Sequence, residues 1–279
     1  MTEHPRIPLA GVIGSPIAHS RSPKLHGHWL KTYGIKGFYI PMDVAQADLP
    51  DVLGALPKAG FVGCNVTIPH KETALAIADV VTDRAALIGA ANTLIFRKDG
   101  KIHADNTDGY GFLANLRQYA PSWDASAGPA AVFGAGGAAR AIVSALIEAG
   151  APEIRIANRT RARAETLRSE FGAKLTVYDW VHAADMLDGT MTVVNTSSLG
   201  MVGKPDLVLP VEALTPAATV TDIVYTPLRT RFLEDAARVG CTTVDGLGML
   251  LHQAAPGFER WFGVRPEVTE ELRRIVLEG

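Results

Sequence analysis

Cysteine is scarce in this 279-residue chain: Cys64 and Cys241 are the only two, far apart and in no C-x-x-C pattern. That scarcity excludes a disulfide framework and points to a reducing compartment, the cytoplasm. No uninterrupted apolar stretch approaches the roughly 20 residues that span a bilayer, so no membrane association is expected. Neither sign of charge dominates, with 27 Lys and Arg against 29 Asp and Glu and a formal net charge of −2. Such a balance offers no electrostatic footprint for nucleic acid or an anionic membrane. The opening MTEHPRIPLAGVIG mixes acid with base around a brief apolar run, unlike a signal or transit peptide. Internal repeats and low-complexity tracts are also missing. His26 and His28 stand two apart and share no helix face, and no spacing supplies a third ligand, so no metal site is expected.

What remains is an ordinary folded composition, 47% hydrophobic and 20% charged, in a length that suits one large domain or two modest ones. Short branched apolar runs alternate with amphipathic segments, which predicts βαβ units around a parallel sheet. In the first half, strands are expected at 7–13, 37–44 and 61–67, and helices at 23–33 and 49–59. Ser22 is a suitable cap for the first helix and Pro23 a suitable first helical residue. Asp99-Gly100 predicts a hairpin between 93–97 and 101–104, and helical character resumes at 109–119. A break rich in small residues follows at 121–129. Strands are then expected at 130–133, 153–157, 175–178, 192–195 and 219–223, helices at 138–149 and 161–171, and further helix from Leu247 onward.

The segment Gly134-Ala135-Gly136-Gly137-Ala138-Ala139 fits G-x-G-x-x-[G/A], between an expected strand and an expected helix. In that setting the first glycine permits a tight turn, and the second lets the backbone approach a pyrophosphate resting on the helix N-terminus. The end of the next strand selects the dinucleotide. An NAD site usually carries Asp or Glu there, to bind the ribose 2′-hydroxyl. Here the corner reads Asn158-Arg159-Thr160, followed by Arg161 and Arg163. A guanidinium grips a 2′-phosphate by two hydrogen bonds, so NADP is the expected cofactor. At least one of Arg161 and Arg163 reads equally well as part of a solvated helix face.

Four motifs precede this turn: Gly14-Ser15-Pro16-Ile17-Ala18-His19-Ser20-Arg21-Ser22-Pro23, Asn65-Val66-Thr67-Ile68-Pro69-His70-Lys71, Gly89-Ala90-Ala91-Asn92-Thr93-Leu94 and Asp105-Asn106-Thr107-Asp108-Gly109. In this order, and with Asp245-Gly246-Leu247 and Gln253 closing the set, they closely resemble the shikimate dehydrogenase family. The resemblance runs nearly end to end. It departs at Ser15, where the family often has Asn, while Ala139 is a residue the glycine fingerprint allows.

The resemblance implies an oxidoreductase that reduces 3-dehydroshikimate to shikimate with NADPH, in the chorismate route to aromatic amino acids. It implies a catalytic pair, Lys71 and Asp108. A lysine ammonium can deliver a proton to the ketone oxygen as hydride arrives, and a carboxylate can bind the reacting hydroxyl. The same residues also read as a solvated helix-start lysine and a helix cap. Ser20 and Ser22 would hold the substrate carboxylate, and Thr67, Asn92 and Gln253 the ring hydroxyls. Tyr225 would close the substrate site, though it also suits a core aromatic. Gly134, Ala135, Gly136, Gly137, Ala138, Asn158, Arg159, Thr160 and Arg163 would bind NADP, with Asp83, Ile223 and Gly246 lining it. His19 and His70 flank site residues and read as local hydrogen-bonding groups.

The implied architecture is α/β. A substrate domain of residues 1–107, to which 246–279 return, joins a Rossmann-type NADP-binding domain of 108–245, with the active site in the cleft between them. The expected partner is a small molecule, with no nucleic acid and no membrane, and the expected assembly a monomer or homodimer. Alternatives within the family are a quinate/shikimate or an aminoshikimate dehydrogenase. Outside catalysis, a non-catalytic NADP-binding sensor would have no need of Lys71 and Asp108.

Overall fold

A computed structural model of the chain describes residues 7–278; residues 1–6, part of the stretch considered above for a targeting signal, and Gly279 lie outside the described residues. The chain divides into two compact units. One gathers the residues up to Thr107 with those from Leu251 onward, and the other is Asp108–Leu250.

In the first unit, chain order runs β1 (Leu9–Gly14), α1 (Ser22–Thr32), β2 (Phe38–Asp43), α2 (Leu49–Ala55), β3 (Gly63–Val66), α3 (Lys71–Ile77), β4 (Val80–Val81), α4 (Asp83–Ile88), β5 (Thr93–Phe96) and β6 (Ile102–Asp105). The strands form one sheet in the order β2-β1-β3-β5-β6-β4. The sheet is mixed rather than parallel: the Asp99-Gly100 turn sets β5 antiparallel to β6, and β5 also runs antiparallel to β3. Ile13, Val66, Leu94 and Ala104 bury one face against Leu49, Leu53 and Ala74 of α2 and α3. Fully burying a leucine stabilises by about 1.5–3 kcal/mol.

Two expectations need correction here. Helix α2 stops at Ala55, short of the expected 59: Leu56 keeps helical geometry (φ −54°, ψ −44°), but Pro57 lacks the donor that another turn needs. Helix α1 begins at Ser22 itself, with Arg21 as the residue before it (φ −86°, ψ −5°). Ser22 therefore lies in the first turn, and its hydroxyl does not cap the helix.

The second unit comprises α5 (Asp108–Tyr119), β7 (Ala130–Phe133), α6 (Gly137–Glu148), β8 (Ile154–Ala157), α7 (Arg161–Phe171), β9 (Leu175–Tyr178), β10 (Thr192–Asn195), β11 (Thr219–Asp222), α8 (Arg231–Arg238) and β12 (Thr242–Val244). Its sheet is wholly parallel in the order β12-β11-β10-β7-β8-β9. Numbered from β7, this is the doubly wound arrangement 3-2-1-4-5-6, whose ligand site lies where β7 and β10 adjoin. In the middle of this sheet β7, buried along its whole length, reads as a continuous apolar run. Two last helices, α9 (Leu247–Phe262) and α10 (Glu270–Leu277), complete the chain. The division at Leu250 falls inside α9, and α10 packs on α1. There Arg21 donates to the Val276 carbonyl at 2.8 Å, and Trp29 Nε1 to the Glu267 carbonyl at 3.0 Å.

Candidate active site

The strand ends of the first unit bring most of the expected substrate residues together. Ser20 turns back through its amide to the Ile17 carbonyl at 3.0 Å, and its hydroxyl accepts from the Ser22 amide at 3.3 Å. The two serines thus share the entry to α1. Thr67 follows β3, tied by its amide to the Ile13 carbonyl at 2.9 Å, and its own carbonyl accepts from the His70 amide at 2.9 Å. That turn delivers Lys71 as the first residue of α3. The Lys71 carbonyl accepts from the Ala91 amide at 2.9 Å, which ties the lysine to the segment carrying Asn92.

Asn92 is the centre of a buried polar network, with 2% of its surface exposed. Its Nδ2 donates to Gln253 Oε1 at 3.1 Å and to the Thr107 hydroxyl at 3.0 Å, and its Oδ1 accepts from the Thr107 amide at 2.9 Å. The Thr107 hydroxyl also lies 2.8 Å from the Gln253 carbonyl. Two residues separated by 161 positions therefore meet through their side chains, because α9 returns to this unit. Just before, Asp105 is buried and gripped by Arg84 through both its oxygens. It also accepts from Thr82 at 2.9 Å and from the Asn106 amide at 2.7 Å. These bonds and the Arg84 charge hold its carboxyl below the usual range, against its own desolvation. Asp108 is buried and opens α5 in the second unit. Asp83 sits exposed at the start of α4 in the first unit, which does not carry the glycine turn.

In the second unit, Gly134 ends β7 with φ +112°, and a Cβ there would stand 2.8 Å from the Thr196 hydroxyl. Glycine is required on both counts. Thr196, just past β10, closes the switch point by donating to the Phe133 carbonyl at 3.0 Å. Ala135 is pinned by its amide to Asn158 Oδ1 at 3.1 Å, and Asn158 Nδ2 reaches the Thr160 carbonyl at 2.8 Å. Asn158 therefore ties the glycine turn to the corner after β8. Gly136 and Gly137 are exposed, with open space where side chains would be, and Ala138 lies in the first turn of α6.

Arg159, Thr160 and Arg163 are exposed, and neither arginine has an ion pair among the described residues. Arg161 is engaged elsewhere, 2.8 Å from Glu165 and 2.7 Å from Asp179, whose hydrogen bonds raise its already high pKa. Ile223 and Gly246 stand back to back. A Cβ on Gly246 would overlap the Ile223 carbonyl, so only glycine permits the approach. Tyr225 is half-buried two residues beyond Ile223.

Several polar groups escaped the sequence reading. Asn65 lies inside a quoted motif yet was not singled out, and its side chain donates to the Asn92 carbonyl at 3.0 Å. Tyr39 donates to Asn65 Oδ1 at 2.7 Å; nothing in its local sequence marks it, apart from an inward position in β2. Asp222 is buried where β11 ends and accepts from Asn195, Thr230 and the Val224 amide at 3.0, 2.8 and 2.9 Å. Desolvation nevertheless pushes its carboxyl up to about 6. Among the described residues no group of His, Cys, Asp and Glu is placed to hold a metal ion, and no helix is long and apolar enough to cross a membrane.

Comparisons with known proteins bear on this geometry. Family models match three stretches: "Shikimate dehydrogenase substrate binding domain" at residues 12–94, "Shikimate / quinate 5-dehydrogenase" at 120–201 and "Shikimate 5'-dehydrogenase C-terminal domain" at 246–276. The chain is 74% identical over 277 residues to a shikimate dehydrogenase (NADP(+)) of Cereibacter sphaeroides, covering 99% of each. It is 70% identical over 270 residues to that of Paracoccus denitrificans, covering 97% of this chain and 96% of the relative. Among solved structures, it resembles the Thermus thermophilus shikimate 5-dehydrogenase in complex with NADP(H) and shikimate. That likeness has TM-score 0.87 at 36% identity and covers 98% and 99% of the two chains. The quinate dehydrogenase of Corynebacterium glutamicum in complex with NAD gives TM-score 0.90 at 30% identity, with coverage of 98% and 99%.

Proposed function

The chain belongs to the shikimate dehydrogenase family, and on that premise we propose that it reduces 3-dehydroshikimate reversibly to shikimate with NADPH, in aromatic amino acid biosynthesis. The observation that carries the reading is the buried network joining Asn92 to Gln253 and Thr107, beside the segment tied to Lys71. A cyclohexene triol needs several fixed donors and acceptors, and uncharged amides and hydroxyls supply them without a charge to desolvate.

In this reading Ser20 and Ser22 receive the substrate carboxylate at the start of α1, where backbone amides favour an anion. Thr67, Asn92 and Gln253 bind the ring hydroxyls, and Tyr225 covers the bound ring. Lys71 donates its ammonium proton to the carbonyl oxygen and stabilises the alkoxide that develops. Asp108 accepts a hydrogen bond from the reacting hydroxyl, and in the reverse direction that hydroxyl returns its proton to Lys71.

The second unit fits NADP. Open backbone at Gly136 and Gly137 stands at the N-terminus of α6, and Arg159 and Arg163, without an ion pair among the described residues, stand at the corner after β8. When bound, the cofactor supplies or accepts the hydride. Gly134, Ala135 and Ala138 shape the turn, Asn158 and Thr160 fix the corner, and Arg159 with Arg163 grips the 2′-phosphate. Ile223 and Gly246 line the cofactor, with Asp83 a further contact. We place the enzyme in the cytoplasm as a monomer or homodimer; two unpaired buried cysteines support a reducing compartment.

The test follows nicotinamide absorbance with purified protein, shikimate or quinate, and NADP⁺ or NAD⁺ in parallel. Rapid reduction of NADP⁺ by shikimate, with little from NAD⁺ or quinate, is the expected result. No turnover with any pair despite NADP⁺ binding would overturn the reading.

A further inference from the structure

Beneath Asn92 the first unit buries three polar groups that the reaction leaves unused. His26 on α1 is 0% exposed, Tyr39 on β2 7% and Asn65 on β3 5%. The His26 and Tyr39 rings stack with centroids 3.8 Å apart and planes 9° from parallel. Trp29, Phe258 and Trp261 enclose the imidazole at 5.6, 5.8 and 5.7 Å. So held, the Tyr39 phenol donates to Asn65 Oδ1 at 2.7 Å.

A carboxamide has one accepting and one donating end, and the phenol decides which end of Asn65 faces where. With its oxygen engaged by Tyr39, Asn65 turns Nδ2 toward the Asn92 carbonyl at 3.0 Å and the Thr93 hydroxyl at 3.3 Å. Thr93 then donates to Asn92 Oδ1 at 2.9 Å. One phenol thus sets an amide, and that amide fixes both the backbone and the side chain of Asn92. Through Asn92 the order extends to Gln253 at 3.1 Å.

Packing alone does not account for this cluster. Neither ring nitrogen of His26 has a hydrogen-bond partner among the described residues. Burying an unpaired N–H is unfavourable, so an apolar ring of the same shape would fill the space better. Burial also raises the Tyr39 ionisation well above its ordinary range; Cys64 adds to this, and the Ser22 side chain opposes it. The phenol therefore keeps its proton, and its role as donor, throughout the neutral range.

We propose that Tyr39 is a positioning residue for the substrate, acting through Asn65 to hold Asn92 and Gln253 in the orientation that receives the ring hydroxyls. The proposal rests on the reading of this site as one for shikimate.

The test uses the full-length enzyme with Tyr39→Phe, Asn65→Ala and the double variant, each assayed with shikimate and NADP⁺ varied in turn. Loss of one buried hydrogen bond predicts that Tyr39→Phe raises KM for shikimate about five- to tenfold, with kcat and KM for NADP⁺ within about twofold. In the Asn65→Ala background the same change should add less than about twofold, since the two act as one unit. An unchanged KM in Tyr39→Phe, or fully multiplicative effects in the double variant, would overturn the proposal. If turnover is too low to measure, the cycle is read from ligand-induced shifts in melting temperature. The shikimate shift should shrink in Tyr39→Phe while the NADP⁺ shift persists, and equal loss of both counts against the proposal. A wild-type enzyme inert toward shikimate would remove the functional reading itself, whereas an active wild type with an indifferent Tyr39→Phe removes only this inference.

Discussion

Around Asn92 the first unit relies chiefly on side-chain polar atoms, carried on β3, β5, α9 and the loop before Asp108. At its glycine turn, Asp108–Leu250 presents mainly backbone, open at Gly136 and Gly137 beyond the tight turn at Gly134, at the end of a wholly parallel sheet. The contrast follows from the ligands each is read to hold. A ring triol differs from its relatives by the placement of single hydroxyls, which only individually oriented side chains distinguish. A pyrophosphate is a diffuse anion that any close set of amides binds. The first unit accordingly stores its specificity in buried amides and hydroxyls, and the second in backbone shape.

Buried groups in the two units also shift in opposite senses. Burial lowers the His26 ring to about 3, and His252 falls to about 4 through desolvation and the Arg265 charge. Both imidazoles are neutral in the folded unit, so an unfolded chain takes up their protons first. Their contribution to stability is full above about pH 6.5 and is lost as pH falls toward 4 and 3. Asp222 in the second unit works the other way, raised from 3.8 to about 6. The folded state binds its proton more tightly than the unfolded state, so its contribution is full below about 3.8 and is lost as pH rises through 6.

The largest expected effect concerns chemistry. Lys71→Ala should lower kcat about 10²- to 10⁴-fold with little change in KM for shikimate, the loss typical of a positioned proton donor. Near wild-type turnover would take Lys71 out of the reaction. Next comes Gly134→Ala, which forces a side chain onto φ +112° and against Thr196. Such strain costs on the order of 1–3 kcal/mol, so KM for NADP⁺ should rise about 5- to 150-fold. A variant that binds NADP⁺ normally would show that backbone shape is not what the second unit contributes.

Smaller is the division among the arginines. Arg159→Ala should raise KM for NADP⁺ about tenfold and leave NAD⁺ use unchanged, whereas Arg161→Ala should do little because Glu165 and Asp179 already neutralise it. Equal effects would place Arg161 in the phosphate site. Smallest is the pH contrast, read from melting temperature between pH 7 and 4. His26→Phe should flatten the acid loss, and Asp222→Asn should remove the gain on acidification from pH 6 to 4. Parallel curves for both variants and the wild type would dissolve the comparison.

Legibility in the sequence divides along the same line. The glycine turn and its flanking elements are local, so strand 130–133, strand 175–178 and helix 161–171 were read to the residue. Helices α4 and α8 are too short for periodicity to declare them, and α3 shows only in the reading of Lys71 as a helix-start lysine. In the first unit, Ser20, Lys71 and Asn92 came from ordered motifs, whereas Tyr39 could not, since its partner lies 26 residues on and the pairing belongs to the sheet. Ser15 departs from the family pattern, and here its hydroxyl donates to Asp43 at 2.8 Å, a contact that no motif encodes. The engagement of Arg161 was half visible: Glu165 is one helical turn away, but Asp179 reaches it only in the fold.

The most direct test of the division of labour compares Asn92→Ala with Gly134→Ala, measuring KM for shikimate and for NADP⁺ in each. The account predicts a crossed result: Asn92→Ala raises the shikimate constant at least about tenfold and leaves NADP⁺ within about twofold, and Gly134→Ala raises the NADP⁺ constant at least about fivefold and leaves shikimate within about twofold. Both constants rising together in each variant would contradict it.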